Sequence, residues 1–368
     1  MRLAELGQAL LDTVRAQHFE LTADSMRGGA AVEQFPSIDL AVCGFPTEAS
    51  PMFANVLFSR EHPQGLIADI GAEAGPVRNI AYLADQQDAV GNSIAWLPGS
   101  DWQRMAWQPL TGDGAHRFVS PYPASLLKLM VLVGVARCVD QGRSAWDEPL
   151  AYQGETRPVG DWAFDMTVIS CNSATSALVA HLHALRCDDL HPLFGSLGLS
   201  GLRLAHTAAD GGWGNAAGAG VGQIQMTAWD TLRLLWLLDE HAPPAPWLPV
   251  GMPPLLGISH AHVMHCLREQ RLHEILSSSA ITGVPGWVPG IATGLDGDVL
   301  FAHKTGNTDN YSADAGIVRG IAPARRHYLI ALTSNLGRRY APEGCRAPWR
   351  LPALGAAVDG VMREILGD

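Results

Sequence analysis

Apolar residues three and four apart open the chain. Leu3, Leu6, Leu10 and Val14 place one hydrophobic stripe along a predicted helix. A Gly-rich stretch (Gly28, Gly29) and a short apolar segment over 38–43 follow. From about residue 65 the pattern tightens. Residues 77–89 predict a helix, while 93–97 and 102–107 predict short strands joined by a Pro-Gly-Ser turn. An apolar run from Leu126 to Val139 predicts a helix, and helical spacing recurs over 166–185, 227–239 and 262–277. Two irregular stretches interrupt it: a Gly-rich loop through Gly211, Gly212 and Trp213 to Gly222, and a Pro-rich connection over 243–254. The pattern then changes to three closely spaced strands over 298–304, 313–318 and 327–333, and a last amphipathic helix over 354–366. Such an order predicts a two-lobed α/β (α+β) architecture, an antiparallel sheet flanked by terminal helices plus an all-helical subdomain. Residues 1–64 read as an N-terminal extension. Residues 65–368 read as the main unit, with a helical lobe over about 121–290 and a sheet lobe from about 65–120 and 291–368.

Composition narrows the range of partners. At 368 residues the chain can bury a large core, and a net charge of −11 argues against nucleic acid or an anionic membrane surface. The longest apolar run, 129–136, is far too short to span a bilayer. Glu5 and Asp12 interrupt any signal-like segment, so a cytoplasmic location is expected, or a periplasmic or secreted one had a leader been removed. Six scattered cysteines without a CxxC pair predict free thiols. His260, His262, His265 and His273 cluster, but no carboxylate completes a metal spacing. They read as the polar face of a helix, and neither metal nor cofactor is expected. The oligomeric state is left open.

The chemistry concentrates around Ser125 and Lys128. Three apart, they share a helix face, and Pro123 suits a first helical turn, where free N–H groups favour negative charge. A serine hydroxyl needs a base to become a nucleophile, and a neutral, partly desolvated lysine is one. Only two of the 25 lysine and arginine residues are lysines, Lys128 and Lys304. Arginine cannot be deprotonated in a protein, so lysine survives where its acid–base chemistry would matter. Lys304 lies in His303-Lys304-Thr305-Gly306, at the end of a predicted strand, and Ser170-Cys171-Asn172 leads into a predicted helix.

Ser-x-x-Lys, Ser-x-Asn and Lys-Thr-Gly, in that order, resemble the signature set of the class A β-lactamases and penicillin-binding proteins, with the class A type closest. The resemblance spans roughly residues 65–368, and it makes that unit a β-lactamase-like catalytic domain. It implies that Ser125 is acylated, that Lys128 accepts its proton, and that Ser170 relays a proton toward the leaving atom while Lys304 keeps the local potential positive. It further implies that Asn172 bonds a substrate amide, that the N–H groups of Ser125 and Asn307 form the oxyanion hole, and that Thr305, beside Gly306, touches a substrate carboxylate or carbonyl.

Each of these residues also has an ordinary structural reading. Ser170 or Asn172 would serve as a helix N-cap, Tyr152 as packing, and Trp213 as core or lid. The sequence departs from the family in three places. No glutamate with the family's following Leu-Asn lies between the second and third motifs, because Glu240, Glu269 and Glu274 fall on or beside predicted helices. The loop over 199–222 carries one carboxylate, Asp210, as a degenerate stand-in for activating water. No cation follows Lys-Thr-Gly near Ser312-Ala313-Asp314, and Cys171 stands where class A enzymes usually carry aspartate. The expectation is a serine hydrolase acting through an acyl-Ser125 intermediate on a small-molecule amide, ester or β-lactam, with efficient β-lactam hydrolysis in doubt. The alternatives are a penicillin-binding-type peptidase, an esterase or acyltransferase of specialised metabolism, and a catalytically silent recognition module.

Overall fold

The computed structural model describes residues 3–86, 93, 102–213, 224–249, 257–278, 289–291, 297–343 and 345–368. Helix α1 (Leu3–Arg15) buries Leu6, Leu10, Leu11 and Val14, the stripe its spacing predicts. Strands β1 (Ile38–Gly44) and β2 (Met52–Phe58) follow, then a two-residue edge strand, β3 (Leu66–Ile67). Next come β4 (Ile80–Ala84), β5 (Pro109–Thr111) and β6 (His116–Ser120), a small separate sheet in which β4 and β6 run parallel. Helices α2 (Lys128–Asp140), α3 (Val159–Val168), α4 (Asn172–Ala184), α5 (His191–Ser196), α6 (Ala228–Leu238) and α7 (His260–Arg268) make the helical part. The chain closes with β7 (Val299–Asn307), β8 (Ser312–Gly320), β9 (His327–Ser334) and α8 (Arg350–Leu366).

The main sheet is antiparallel and six-stranded, in the order β7-β8-β9-β1-β2-β3. One of its faces packs with α2, α3, α4 and α6 in a large core, and the other closes over α1 and α8. This placement corrects the division at residue 64. Strand β1 pairs with β9 from Ile38↔Ser334 to Gly44↔Tyr328, so residues 38–58 supply the middle of the sheet. The reason is legible in burial. All seven β1 residues are buried, with Ala41 and Cys43 entering the helical core and Ile38, Leu40 and Val42 the opposite one. A strand covered on both faces reads as a plain apolar run, without alternation.

Other local readings also change. The helix predicted over 77–89 does not form in the described part, which holds strand β4 at Ile80–Ala84 instead. Its Ile80 and Tyr82 pack with Leu57 and Phe118, and this tertiary contact overrides local propensity. Residues 102–107 form a 3₁₀ turn (Trp102–Arg104) rather than a strand, closed by the Trp107 indole donating to the Trp102 carbonyl at 2.9 Å. Of the strand expected over 93–97, only Ser93 lies within the described residues. The helix expected over 166–185 breaks between α3 and α4, where Ser170 has φ +57°. That expected over 262–277 ends at Arg268. Residues 214–222 of the Gly-rich loop and 250–254 of the Pro-rich connection lie outside the described residues. The three C-terminal strands and α8 form where their patterns place them, and all six cysteines are free. The histidines of α7 disperse into packing: His262 stacks on Trp146 and His265 on Phe164.

Candidate active site

Ser125 sits in a 3₁₀ turn, Ala124–Leu127, that runs directly into α2. Ala124 is held at φ +50°, a left-handed conformation that costs a non-glycine residue about 1–3 kcal/mol and persists only where surroundings enforce it. Strand β7 is part of that enforcement. A Cβ on Gly306 would stand 2.4 Å from the Pro123 carbonyl oxygen, 2.6 Å from the Leu126 nitrogen and 2.9 Å from the Ser125 nitrogen. Only glycine lets the strand lie this close to the nucleophile's turn. The contact brings the Ser125 N–H beside the β7 backbone.

Lys128, the first residue of α2, is 1% exposed. Its Nζ donates to the Ser170 carbonyl at 2.6 Å, to Asn172 Oδ1 at 2.7 Å and to Ser170 Oγ at 3.1 Å. Ser125, one turn earlier, is not among these acceptors. Lys304 Nζ reaches the same Ser170 Oγ at 3.1 Å and donates to the Thr305 carbonyl at 2.6 Å. The two lysines, 176 positions apart by the sequence numbering, therefore meet on one hydroxyl. Ser170 is available because Cys171, not Ser170 or Asn172, caps α4, its Sγ accepting the Ala174 N–H at 3.5 Å.

Burial sets the charge of this pair. It pushes Lys128 from the ordinary 10.5 down to about 8, slightly offset by Cys171. It also pushes fully buried Lys304 well down, and there repulsion from Lys128 adds to the effect while Asp314 and Glu274 oppose it. Desolvation leads in both cases, ahead of the mutual repulsion that the motif alone suggests.

Thr305 is buried, and Asn307 ends β7 with its Nδ2 donating to the Arg346 carbonyl at 2.6 Å. Glu274 lies beside Lys304 and Asn307 and pairs with Arg346 at 3.4 Å; burial pushes its carboxyl up. The helix predicted over 262–277 hid this position. Tyr122 was missed as well. Its ring meets Tyr311 edge-on, the Trp213 indole reaches its hydroxyl, and burial raises it to about 12. An aromatic between two prolines, three residues before the nucleophile, was the available signal.

Asp210 is not gathered in with these groups by any hydrogen bond among the described residues. It is exposed, its Oδ1 accepts the Gly212 N–H at 2.9 Å, and its carbonyl accepts the Tyr152 hydroxyl at 2.8 Å. Its carboxylate holds its own turn. Tyr152 and Trp213 thus tie this loop to the helical core and to the nucleophile's turn.

No protein-family model and no curated protein sequence matches the chain. Solved structures do. The TLA-1 extended-spectrum β-lactamase superposes with a TM-score of 0.51 at 12% identity, covering 98% of this chain and 99% of that one. A mutant of PBP-A, solved as an acyl-enzyme with penicillin G, gives 0.48 at 13% identity, covering 100% and 97%. A class A β-lactamase from Bacteroides cellulosilyticus gives 0.44 at 18% identity, covering 67% and 85%. The fold is therefore β-lactamase-like, as the TLA-1 superposition shows.

Proposed function

We propose that the protein is a serine hydrolase or acyltransferase working through an acyl-Ser125 intermediate on a small-molecule amide, ester or β-lactam. The observation that carries this reading is the meeting of Lys128 and Lys304 on Ser170 Oγ beside the Ser125 turn. Neutral Lys128 takes the Ser125 proton, directly or through Ser170, and the oxygen adds to the carbonyl carbon. The N–H groups of Ser125 and Asn307 receive the oxyanion. Ser170 then passes its proton to the leaving nitrogen or oxygen as the carbonyl re-forms and takes back the proton held by Lys128, so Ser125 is left acylated and Lys128 neutral. Asn172 and Thr305 orient the substrate.

Release of the acyl group is the slow half of the cycle in this reading. The one carboxylate of that loop, Asp210, is exposed and bonds its own turn rather than Ser125, Lys128 or Ser170, so this reading gives it no part in activating water. The test is intact-protein mass after mixing with a penicillin and with a chromogenic cephalosporin, beside Ser125→Ala. A persistent adduct that requires Ser125 supports the reading. Rapid Ser125-dependent turnover would remove the slow-release part. An ester panel that also leaves Ser125 unmodified would sink the acyl-serine proposal.

A further inference from the structure

Away from Ser125, one cavity joins positive charge to an apolar wall. It measures about 510 Å³ and lies against the turn that connects β8 to β9. Arg319 of β8 and His327 of β9 are register partners, so their side chains stand on one face of the sheet. Leu300 of β7 is the partner of Arg319 on its other side. Lys304 shares that face four residues further along β7, which puts about 13 Å between the cavity's edge and the proposed chemistry. The Gly320 N–H donates to the Arg326 carbonyl at 2.7 Å and closes the turn that carries Arg325 at the cavity's rim. Phe45, just beyond β1, supplies the apolar wall. Its ring lies 4.8 Å from the His327 ring and meets Trp236 edge-on at 5.0 Å, and Pro46, Pro51 and Pro243 extend it.

The charges of this lining are one-sided. Three arginines (Arg319, Arg325, Arg326) and two histidines (His241, His327) line the cavity, and among the described residues no carboxylate does. The chain as a whole carries a net charge of −11. Acidic groups close by are already engaged or lie outside. Asp298, Asp359 and Asp368 hold Arg326, which is therefore a fixed wall and not an open cation. Asp239 accepts from His327 at 2.5 Å, and Glu240 lies 3.4 Å from His241 and 3.7 Å from His260. Glu48 is exposed and is not part of the lining. Arg319, half-buried, and Arg325, exposed, have no ion pair among the described residues. Each guanidinium offers a planar fork of N–H donors, the shape that a phosphate or carboxylate accepts.

We propose that this cavity is a second binding site, separate from the acyl chemistry, for a small phosphate monoester with an apolar ester group. The phosphate sits on Arg319 and Arg325, and the ester group lies against Phe45 and the neighbouring prolines. A dianion suits two cations that lack partners better than a singly charged carboxylate does, and a phosphate monoester is largely dianionic near neutral pH. The volume exceeds what a bare phosphate fills and falls within the range of about 300–1,000 Å³ usual for small-molecule sites. Binding here does not depend on Ser125 being acylated.

Isothermal titration calorimetry of the full chain with phenyl phosphate, at two temperatures, tests this. Wild type gives a saturable heat, and the affinity falls as salt is added. Arg319→Gln and Arg325→Gln each loosen binding about tenfold, and the two together about a hundredfold. Inorganic phosphate and benzoate each bind about tenfold more weakly than phenyl phosphate, and phenol does not bind. No heat from millimolar phenyl phosphate at either temperature overturns the proposal, as does equal affinity in wild type and the double variant. Inorganic phosphate binding as tightly as phenyl phosphate overturns the role of the apolar wall. Benzoate binding as tightly overturns the choice of a dianion. Should the double variant fail to fold, Ala49→Glu puts a carboxylate on the exposed rim and keeps both arginines. Undiminished binding by that variant overturns the proposal.

Discussion

Lys128 carries the pH dependence of the proposed acylation. As a base it must be neutral, and burial brings it to about 8. The rate of adduct formation should therefore rise about tenfold per pH unit below that point and level off above it. Stopped-flow acylation between pH 6 and pH 9.5 measures this, and a rate that is flat across the range would exclude Lys128 as the base. Lys128→Arg, which stays charged, should lower the rate by about 10²–10⁴-fold. Gly306 bears on the same atoms through shape alone. Gly306→Ala places a methyl 2.4 Å from the Pro123 oxygen, so the strand and the turn must separate. The expected outcome is a stability loss of about 1–3 kcal/mol with acylation slowed about a hundredfold. Denaturant melts and adduct kinetics on the one variant check both.

Among the elements, α6 shows how a buried carboxylate joins the two layers. Thr227 caps it conventionally, through the Asp230 N–H at 3.2 Å, while Asp39 of β1 accepts the Ala228 N–H at 2.9 Å and the Asn55 amide at 2.6 Å. Burial still dominates and raises Asp39 from 3.8 to about 6. A carboxyl raised in the fold favours the protonated native state. Its stabilising contribution is complete below about pH 4 and is lost as pH rises through about 6, at most about 3 kcal/mol. Wild type should therefore lose stability relative to Asp39→Asn between pH 4 and pH 7. Urea melts at both ends of that range decide it, and a constant difference would count against the assignment.

The same strand governs the whole molecule. A chain beginning at residue 65 lacks β1 and β2, leaving β9 unpaired on one edge and both cores open. It should not melt cooperatively by calorimetry or circular dichroism, whereas a separable extension could be removed with the fold intact. At this scale the chain also anchors its own end. Buried Arg326 is bonded by Asp298, Asp359 and Asp368, which fastens the start of β9 to α8 and the C-terminus.

Ser125, Lys128, Ser170, Asn172 and Lys304 were legible in the sequence because each lies in a short motif whose spacing is fixed by one turn of chain. Helices α1 and α8 were legible because burial along one stripe writes a period into the sequence, and the three C-terminal strands because their apolar runs, buried on both faces, follow one another closely. The place of strand β1 in the sheet was not, because its apolar run stands apart in the chain and its partner β9 begins about 290 positions away. Nor could spacing reveal that Ser170 adopts a left-handed conformation, that the Asp210 carboxylate bonds its own turn, or that buried His303 and Asp314 pair. The sequence by itself determined which reactive groups the chain owns. Tertiary structure alone decided which of them lose water and which charges face them, because desolvation and Coulomb energies depend on neighbours brought together from distant parts of the chain.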